Sequence, residues 1–226
     1  MGTDNSIHPG ITVFGIVGML IFSSRFYVQW LISEYHGKSV VPPIFWYLSS
    51  LGSIMLMAFG ILTQSPLGVL NHCINIVIYI RNIVHIWREK GFLTPARSKA
   101  LHIGMGIIAL VGVTFLFRTW FLEWEVQQEK PKEEALVEWG WLLVGVIGTG
   151  LFGLRMIVQW VVTEKQKKSV VPNIFWVISV VAALLSTSAF VHRAEWIYAV
   201  GSGLTLLIYS RNIWFVYWGT PDEVED

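Results

Sequence analysis

The sequence has little of what most soluble enzymes and nucleic-acid-binding proteins need. One of its 226 residues is a cysteine, Cys73, which excludes an intrachain disulfide and every multi-cysteine metal or redox motif. Charged residues make up 14% of the chain, and the net charge of +1 provides no basic field for nucleic acid. No P-loop, GxSxG or HExxH motif occurs, and six scattered histidines indicate no catalytic triad. These absences predict a protein that is not an enzyme and has no cofactor or metal.

Hydrophobic residues, in contrast, make up 54% of the chain, and the mean hydropathy is +0.58. Seven apolar stretches are long enough to cross roughly 30 Å of hydrocarbon at about 1.5 Å per residue. The first follows no Lys or Arg and precedes no cleavage site, so we expect it to be a retained helix. The fold class predicted is an all-α integral membrane protein with seven transmembrane helices. The predicted spans are residues 10–32, 43–62, 66–87, 99–122, 137–162, 173–191 and 195–217.

The distribution of Lys and Arg predicts the orientation. Loops 33–42, 88–98 and 163–172, with one adjoining helix end, carry eight of the sixteen cations, and the opposite side carries four. Because cytoplasmic loops are enriched in Lys and Arg, we expect the N-terminus outside and the C-terminus in the cytoplasm. The remaining four cations are arginines inside the predicted spans.

The chain contains an internal repeat. An offset of 130 aligns residues 15–83 with 145–213 without a gap, at 22 identities in 69 positions. Each copy has three spans, and the helix at 99–122 gives both copies the same orientation, which predicts a parallel 3+1+3 arrangement. The predicted domains are the first repeat at 10–87, a linker at 88–136 that contains helix 99–122, the second repeat at 137–217 and an acidic cytoplasmic tail at 218–226.

The first copy contains a motif, most residues of which recur in the second copy. The motif comprises Arg25 to Trp30, Ser33-Glu34, Lys38 to Pro42 with Phe45-Trp46, and Tyr79 to Asn82. This motif resembles the lipid-A-biosynthesis N-terminal domain family, a three-helix module distantly related to the PQ-loop, SemiSWEET and SWEET sugar transporters. The resemblance implies a SWEET-like arrangement in a bacterial inner membrane and a protein that handles glycolipids or their precursors. The proline that precedes the glutamine in the PQ-loop motif is replaced by Val28 and Val158, so the usual cause of a hinge is missing.

The arginines inside the spans are the residues that are most costly to place in a membrane. They are Arg25, Arg81, Arg155 and Arg211. Arg25 and Gln29 are four residues apart and share one helix face, as do Arg155 and Gln159. If the two repeats pack face to face, up to four guanidinium groups converge near the inner leaflet.

A charge in hydrocarbon must be paired, hydrated or bound to a ligand. Glu34 and Glu164 are near enough to pair with two of the four arginines, which leaves about two positive charges over. A phosphate would satisfy these arginines, because a guanidinium presents forked donors that bind it bidentately. The alternative is that internal Arg–Glu bridges pin each three-helix unit together while the other arginines snorkel to the interface.

The third span of each copy has a polar stripe on one helix face. His72, Asn75, Tyr79 and Asn82 form the first stripe, at helical spacing. Such rows either bridge helices or line a wet cavity, and tryptophans could stack on a sugar or anchor the helices at the membrane interface. The predicted substrate-binding residues are Arg25, Gln29, Glu34, Trp46, Asn75, Tyr79, Arg81, Asn82, Arg155, Gln159, Glu164, Trp176, Tyr209, Arg211 and Asn212.

These patterns favour a flippase that binds a phosphorylated lipid-linked sugar at the cytoplasmic leaflet and moves its headgroup outward. The cargo would be a polyprenyl-phosphate sugar or a lipid A-type glycolipid, and the partners would be membrane lipids and a membrane glycosyltransferase. Two alternatives remain open. One is a SWEET-like carrier of a small soluble sugar. The other is a non-transporting partner subunit of a glycosyltransferase in envelope glycolipid biosynthesis.

Overall fold

A computed structural model describes residues 8–36, 42–166 and 172–218. The regular structure in these ranges consists of seven α-helices. They are α1 (Pro9–His36), α2 (Pro43–Leu62), α3 (Pro66–Glu89), α4 (Pro95–Glu129), α5 (Lys132–Gln166), α6 (Asn173–His192) and α7 (Trp196–Trp218). Within the described ranges, α1 to α6 each contain a segment long and apolar enough to cross a membrane. The seventh predicted span is present as a helix but is not among these six, and it contains Arg211 and Asn212.

Prolines and capping residues determine where several helices begin. Pro43, Pro66 and Pro95 lie in the first turns of α2, α3 and α4, where the missing N–H group costs no intrahelical hydrogen bond. The Ser65 hydroxyl accepts a hydrogen bond from the Gly68 N–H at 2.9 Å and caps α3. The helix starts therefore follow from local sequence.

The turns after α2 and α6 have the same geometry. Gln64 and Ala194, which are 130 residues apart, both have φ of 55°, in the left-handed region. In both turns a backbone N–H also bonds back to the end of the preceding helix, from Ser65 to the Gly60 carbonyl and from Glu195 to the Phe190 carbonyl. The repeat is thus visible in the backbone even where the two copies share no identical residue.

Helices α4 and α5 are longer than the predicted spans. Each has 35 residues, or about 52 Å at 1.5 Å per residue, against a hydrocarbon core of roughly 30 Å. The predictions of 99–122 and 137–162 stopped where charged residues begin. Glu, Gln and Lys are good helix formers, so the helices continue past the apolar segments. The other predicted spans differ from the helices by no more than four residues at either end.

The chain divides into two compact units, Met1–Leu136 and Val137–Asp226. In the first unit, Met57 of α2 packs with Val69, Cys73, Ile76 and Ile80 of α3. Residues of α4 pack against this core, and Gly112 approaches so closely that an added Cβ would lie 2.8 Å from the Cys73 Sγ. The helix between the two repeats therefore packs on α3. The 3+1+3 arrangement and the repeat boundaries stay predictions.

The second unit has small residues where the first has a larger apolar core. Ala182, Ala183 and Ala189 of α6 are fully buried. A Cβ added at Gly148 of α5 would lie 2.5 Å from the Ser186 Oγ. Small residues allow membrane helices to approach closely, and this is how α5 and α6 pack here.

Candidate functional site

Arg25 joins the first three helices at a buried point. Its side chain extends from α1 into the first unit and is 5% exposed. The Arg25 Nη1 donates to the Tyr79 hydroxyl of α3 at 2.8 Å and to the Ser49 Oγ of α2 at 3.2 Å. Ser49 donates in turn to the Phe45 carbonyl in its own helix. The guanidinium thus contacts both helices that pack beside α1.

Aromatic rings surround this guanidinium. The Arg25 Cζ lies 3.6 Å from the Phe22 ring centroid and 5.4 Å from the centroids of Phe45 and Tyr79. Trp46 extends the cluster, because its ring lies 6.1 Å from that of Tyr79. Ring faces attract a cation through their quadrupole. We call Phe22, Arg25, Phe45, Ser49 and Tyr79 the first arginine cage.

The second unit contains the same arrangement. The Arg155 Nη1 donates to the Ser179 Oγ at 2.8 Å. The Arg155 Cζ lies 4.7, 5.1 and 5.2 Å from the ring centroids of Phe152, Phe175 and Tyr209. We call these five residues the second arginine cage. Each of its members lies 130 positions after its counterpart and is the same amino acid.

Neither arginine has an acidic partner among the described residues. The described ion pairs involve Glu138, His192, Arg193 and Glu195 instead. The Nε atoms of both cage arginines are buried, and neither has a hydrogen-bond partner among the described residues. An uncompensated buried charge is costly, and hydroxyl groups and ring faces offset only part of that cost. Within the part of the chain that the structure describes, the charge of each cage arginine is thus only partly offset.

Some of the predicted substrate-binding residues lie at the cages. Trp46 contacts Tyr79, and Trp176 repeats the contact with Tyr209 at 6.3 Å between ring centroids. Gln29 lies one turn beyond Arg25 and is half-buried. The structure thus brings arginine, tyrosine and tryptophan together in both units.

The predicted asparagines form hydrogen bonds within their own helices. Asn82 donates to the Ile78 carbonyl and Asn212 donates to the Ile208 carbonyl, each at 2.8 Å. Asn75 donates to the Asn71 Oδ1 at 3.3 Å. These bonds satisfy the side-chain amides locally and do not reach the cage arginines.

The other predicted residues are not placed in the cages. Arg81 and Arg211 are exposed, whereas the cage arginines are buried or half-buried. The side chains of Glu34, Gln159 and Glu164 lie outside the described residues. The convergence of four arginines and the Arg–Glu bridges therefore stay predictions.

Sequence reasoning missed the serines and phenylalanines of the cages. Ser49 and Ser179 follow the two arginines by 24 residues and are identical in the repeat, as are Phe22 and Phe152. Their identity in both copies is the signal that could have revealed them, because most residues in the middle of the repeat differ between the two copies. In the polar stripe of α3, buried His72 contacts Ser53 of α2 at 3.1 Å.

In the part of the chain that the structure describes, six helices are long and apolar enough to cross a membrane, and an arginine–serine contact occurs in both units, which indicates a helical membrane protein with an internal repeat. Residues 14–84 and 144–214 both match the Lipid A Biosynthesis N-terminal domain, and the chain belongs to this family. The two matched segments are offset by 130 residues, as in the self-comparison. The resemblance seen in the sequence is thereby confirmed.

Similar proteins occur in chlamydiae under the name lipid-A-disaccharide synthase. The chain is 28% identical to the Chlamydia felis protein over 210 residues, which are 90% of this chain and 32% of that protein. It is 30% identical to the Chlamydia caviae protein over 217 residues, with 90% and 32% covered. The chain thus spans about a third of the length of these relatives. No solved structure matches it, and the relationship to PQ-loop and SWEET carriers stays a prediction.

These relatives correct one expectation. The absence of common motifs predicted that the protein is not an enzyme, and this prediction is wrong because the relatives carry the name of an enzyme. The motifs searched belong to hydrolases, metalloproteases and phosphate-loop proteins. Their absence carries no information about a synthase. The family and the relatives connect the chain to lipid A biosynthesis in bacteria.

Proposed function

We propose that this chain is a membrane module of lipid A biosynthesis that binds a phosphorylated glycolipid precursor and presents it for disaccharide formation. The observation that carries the proposal is the buried Arg25, which among the described residues has only neutral hydrogen-bond partners and no acceptor for its Nε, together with its duplicate at Arg155. A lipid phosphate supplies both the negative charge and the acceptor oxygen that each cage lacks.

The neighbours of the arginines suit the rest of such a ligand. Trp46 and Trp176 lie beside the cage tyrosines and provide aromatic faces on which a sugar ring can stack. The acyl chains would remain in the bilayer beside the apolar helices. From the distribution of Lys and Arg, we expect the cages to lie towards the cytoplasmic side of a bacterial inner membrane.

The names of the relatives support the link to disaccharide formation. They are lipid-A-disaccharide synthases, and this chain corresponds to about a third of each. In this proposal the module holds the lipid where glycosyl transfer uses it. A membrane glycosyltransferase activity, in the same polypeptide or a partner, is the expected consumer.

The test is identification of the lipid that the protein retains from its own membrane. Native mass spectrometry after gentle extraction should detect a bound phosphoglycolipid in the wild type. The Arg25→Ala, Arg155→Ala double variant should retain at least tenfold less. The matched control is Arg118→Ala, which removes an exposed arginine of α4 and should leave retention unchanged. A wild-type protein that carries no anionic lipid would contradict the proposal.

Translocation of the same lipid is the second candidate, and the tandem duplication favours it. Two three-helix units of the same orientation are the architecture of some carriers that alternate access between two sides of a membrane. The test uses vesicles that contain the protein and a phosphoglycolipid whose sugar reacts with an impermeant reagent. Protein-dependent movement of the sugar between leaflets supports translocation. Binding without movement restricts the function to presentation.

A further inference from the structure

The two arginine cages are built from separate sets of side chains. The described hydrogen bonds of Arg25 end on Ser49 and Tyr79 of the first unit. The described hydrogen bond of Arg155 ends on Ser179 of the second unit. The described rings close to each guanidinium belong to the same unit as that arginine.

Each cage arginine also has a charge that no described residue neutralises. The described partners of both guanidinium groups are hydroxyls and rings, which carry no net charge, and neither buried Nε has an acceptor among the described residues. A phosphate in each cage would place a negative charge beside each arginine.

The Nε–H is one donor of the planar guanidinium fork. In both arginines the Nε is buried and has no acceptor among the described residues. A phosphate oxygen at this edge would accept its hydrogen bond.

We infer that each three-helix unit contains its own phosphate site, so that one chain binds two phosphorylated headgroups. This inference rests on the proposed function and specifies its stoichiometry. The two sites differ in strength. Arg25 is 5% exposed and has a tyrosine hydroxyl at 2.8 Å, whereas Arg155 is only half-buried. Water competes less in the first cage, so this site binds more tightly and exchanges its ligand more slowly.

The experiment counts bound ligands. The full chain in detergent is titrated with an acylated monosaccharide 1-phosphate, and native mass spectrometry gives the number bound to each molecule. The same lipid without its phosphate is the ligand control, and Arg118→Gln is the protein control. We expect two bound lipids in the wild type, one in Arg25→Gln, one in Arg155→Gln and none in the double variant. The lipid that remains in Arg155→Gln should dissociate more slowly than the one that remains in Arg25→Gln.

Other counts would overturn the inference. One bound lipid in the wild type, lost in either single variant, indicates one shared site and leaves the proposed function intact. No bound lipid in the wild type contradicts both the two-site inference and the proposed function. In that case, the thermal stability of Glu34→Gln and Glu164→Gln should be compared with that of the arginine variants. An equal loss of stability would identify these two carboxylates as the counter-ions of the arginines.

A second probe and a second set of variants complete the experiment. A soluble monosaccharide 1-phosphate, used as a second probe, separates the phosphate from the lipid. If it also binds at two per chain, the sites exist but the acyl chains contribute nothing, which contradicts the glycolipid part of the proposed function.

Arg25→Lys and Arg155→Lys replace the Gln variants if those fail to fold. Each Lys variant retains the charge but loses the forked donors, and should still reduce the count by one.

Discussion

Gly52 lies at a close approach between α1 and α2, beside the first arginine cage. A Cβ added there would lie 2.7 Å from the Phe22 Cα, which is a backbone atom and cannot move without shifting the helix. We expect Gly52→Ala to separate the two helices and lower the free energy of unfolding by about 1–3 kcal/mol. Titration with a denaturing detergent in mixed micelles measures this change.

Gly104→Ala is the matched control for that change. A Cβ at Gly104 of α4 meets nothing within 4 Å, and alanine is the better helix former. We expect this variant to be unchanged or stabilised by up to about 1 kcal/mol. If the two alanine variants are equally stable, the close approach of α1 and α2 at Gly52 is not required for the stability of the protein.

The Tyr79 hydroxyl is the closest hydrogen-bond partner of Arg25 at 2.8 Å. Tyr79→Phe retains the ring contacts with Arg25 and Trp46 but removes the acceptor. Hydrogen bonds to charged groups contribute about 1.5–3 kcal/mol, so the free energy of unfolding should fall by that amount. The comparison variant is Tyr27→Phe. Tyr27 is 56% exposed, so this change should leave the unfolding transition unaltered. A Tyr79→Phe protein that unfolds like the wild type would show that the hydroxyl contributes nothing.

Among the elements, α3 depends on a buried cap. Ser65 is 2% exposed, and its hydroxyl accepts the hydrogen bond of the Gly68 N–H at the start of the helix. Ser65→Ala leaves that N–H unsatisfied in a buried position, so the free energy of unfolding should fall by about 1 kcal/mol. Ser210→Ala, at an exposed position of α7, controls for the loss of a serine hydroxyl. If both variants lose the same amount, the cap has no special role.

The lengths of the elements show what hydropathy predicts and what it misses. The span predicted at 43–62 coincides with α2, because Pro43 and the end of the apolar run fix its two ends. The spans predicted for α4 and α5 are too short by up to seven residues at one end, because hydropathy marks the membrane-crossing part and not the helix. Helix propensity in the charged segments determines the remainder.

At the scale of the whole molecule, the distribution of Lys and Arg predicts the orientation. The lone cysteine, Cys73, is 9% exposed and can be replaced by alanine to give a background without thiols. In that background we expect Glu133→Cys to react with an impermeant maleimide in intact cells. Glu89→Cys should react only after the inner membrane is permeabilised, because positive loops face the cytoplasm. Both positions are exposed. Labelling of Glu89→Cys in intact cells, with Glu133→Cys labelled only after permeabilisation, would contradict the predicted orientation.

The sequence by itself determined the helical membrane class, the repeat at an offset of 130 and the family, because apolar length, self-similarity and short motifs are local properties of the chain. It also selected four arginines, among them Arg25 and Arg155, since charges within apolar spans are costly. Only the tertiary structure decided which groups meet them. Ser49, Phe22 and Tyr79 come from three different helices, and their contacts depend on how those helices rotate and pack. The exposure of Arg81 is decided in the same way, because its position on α3 points it away from that packing.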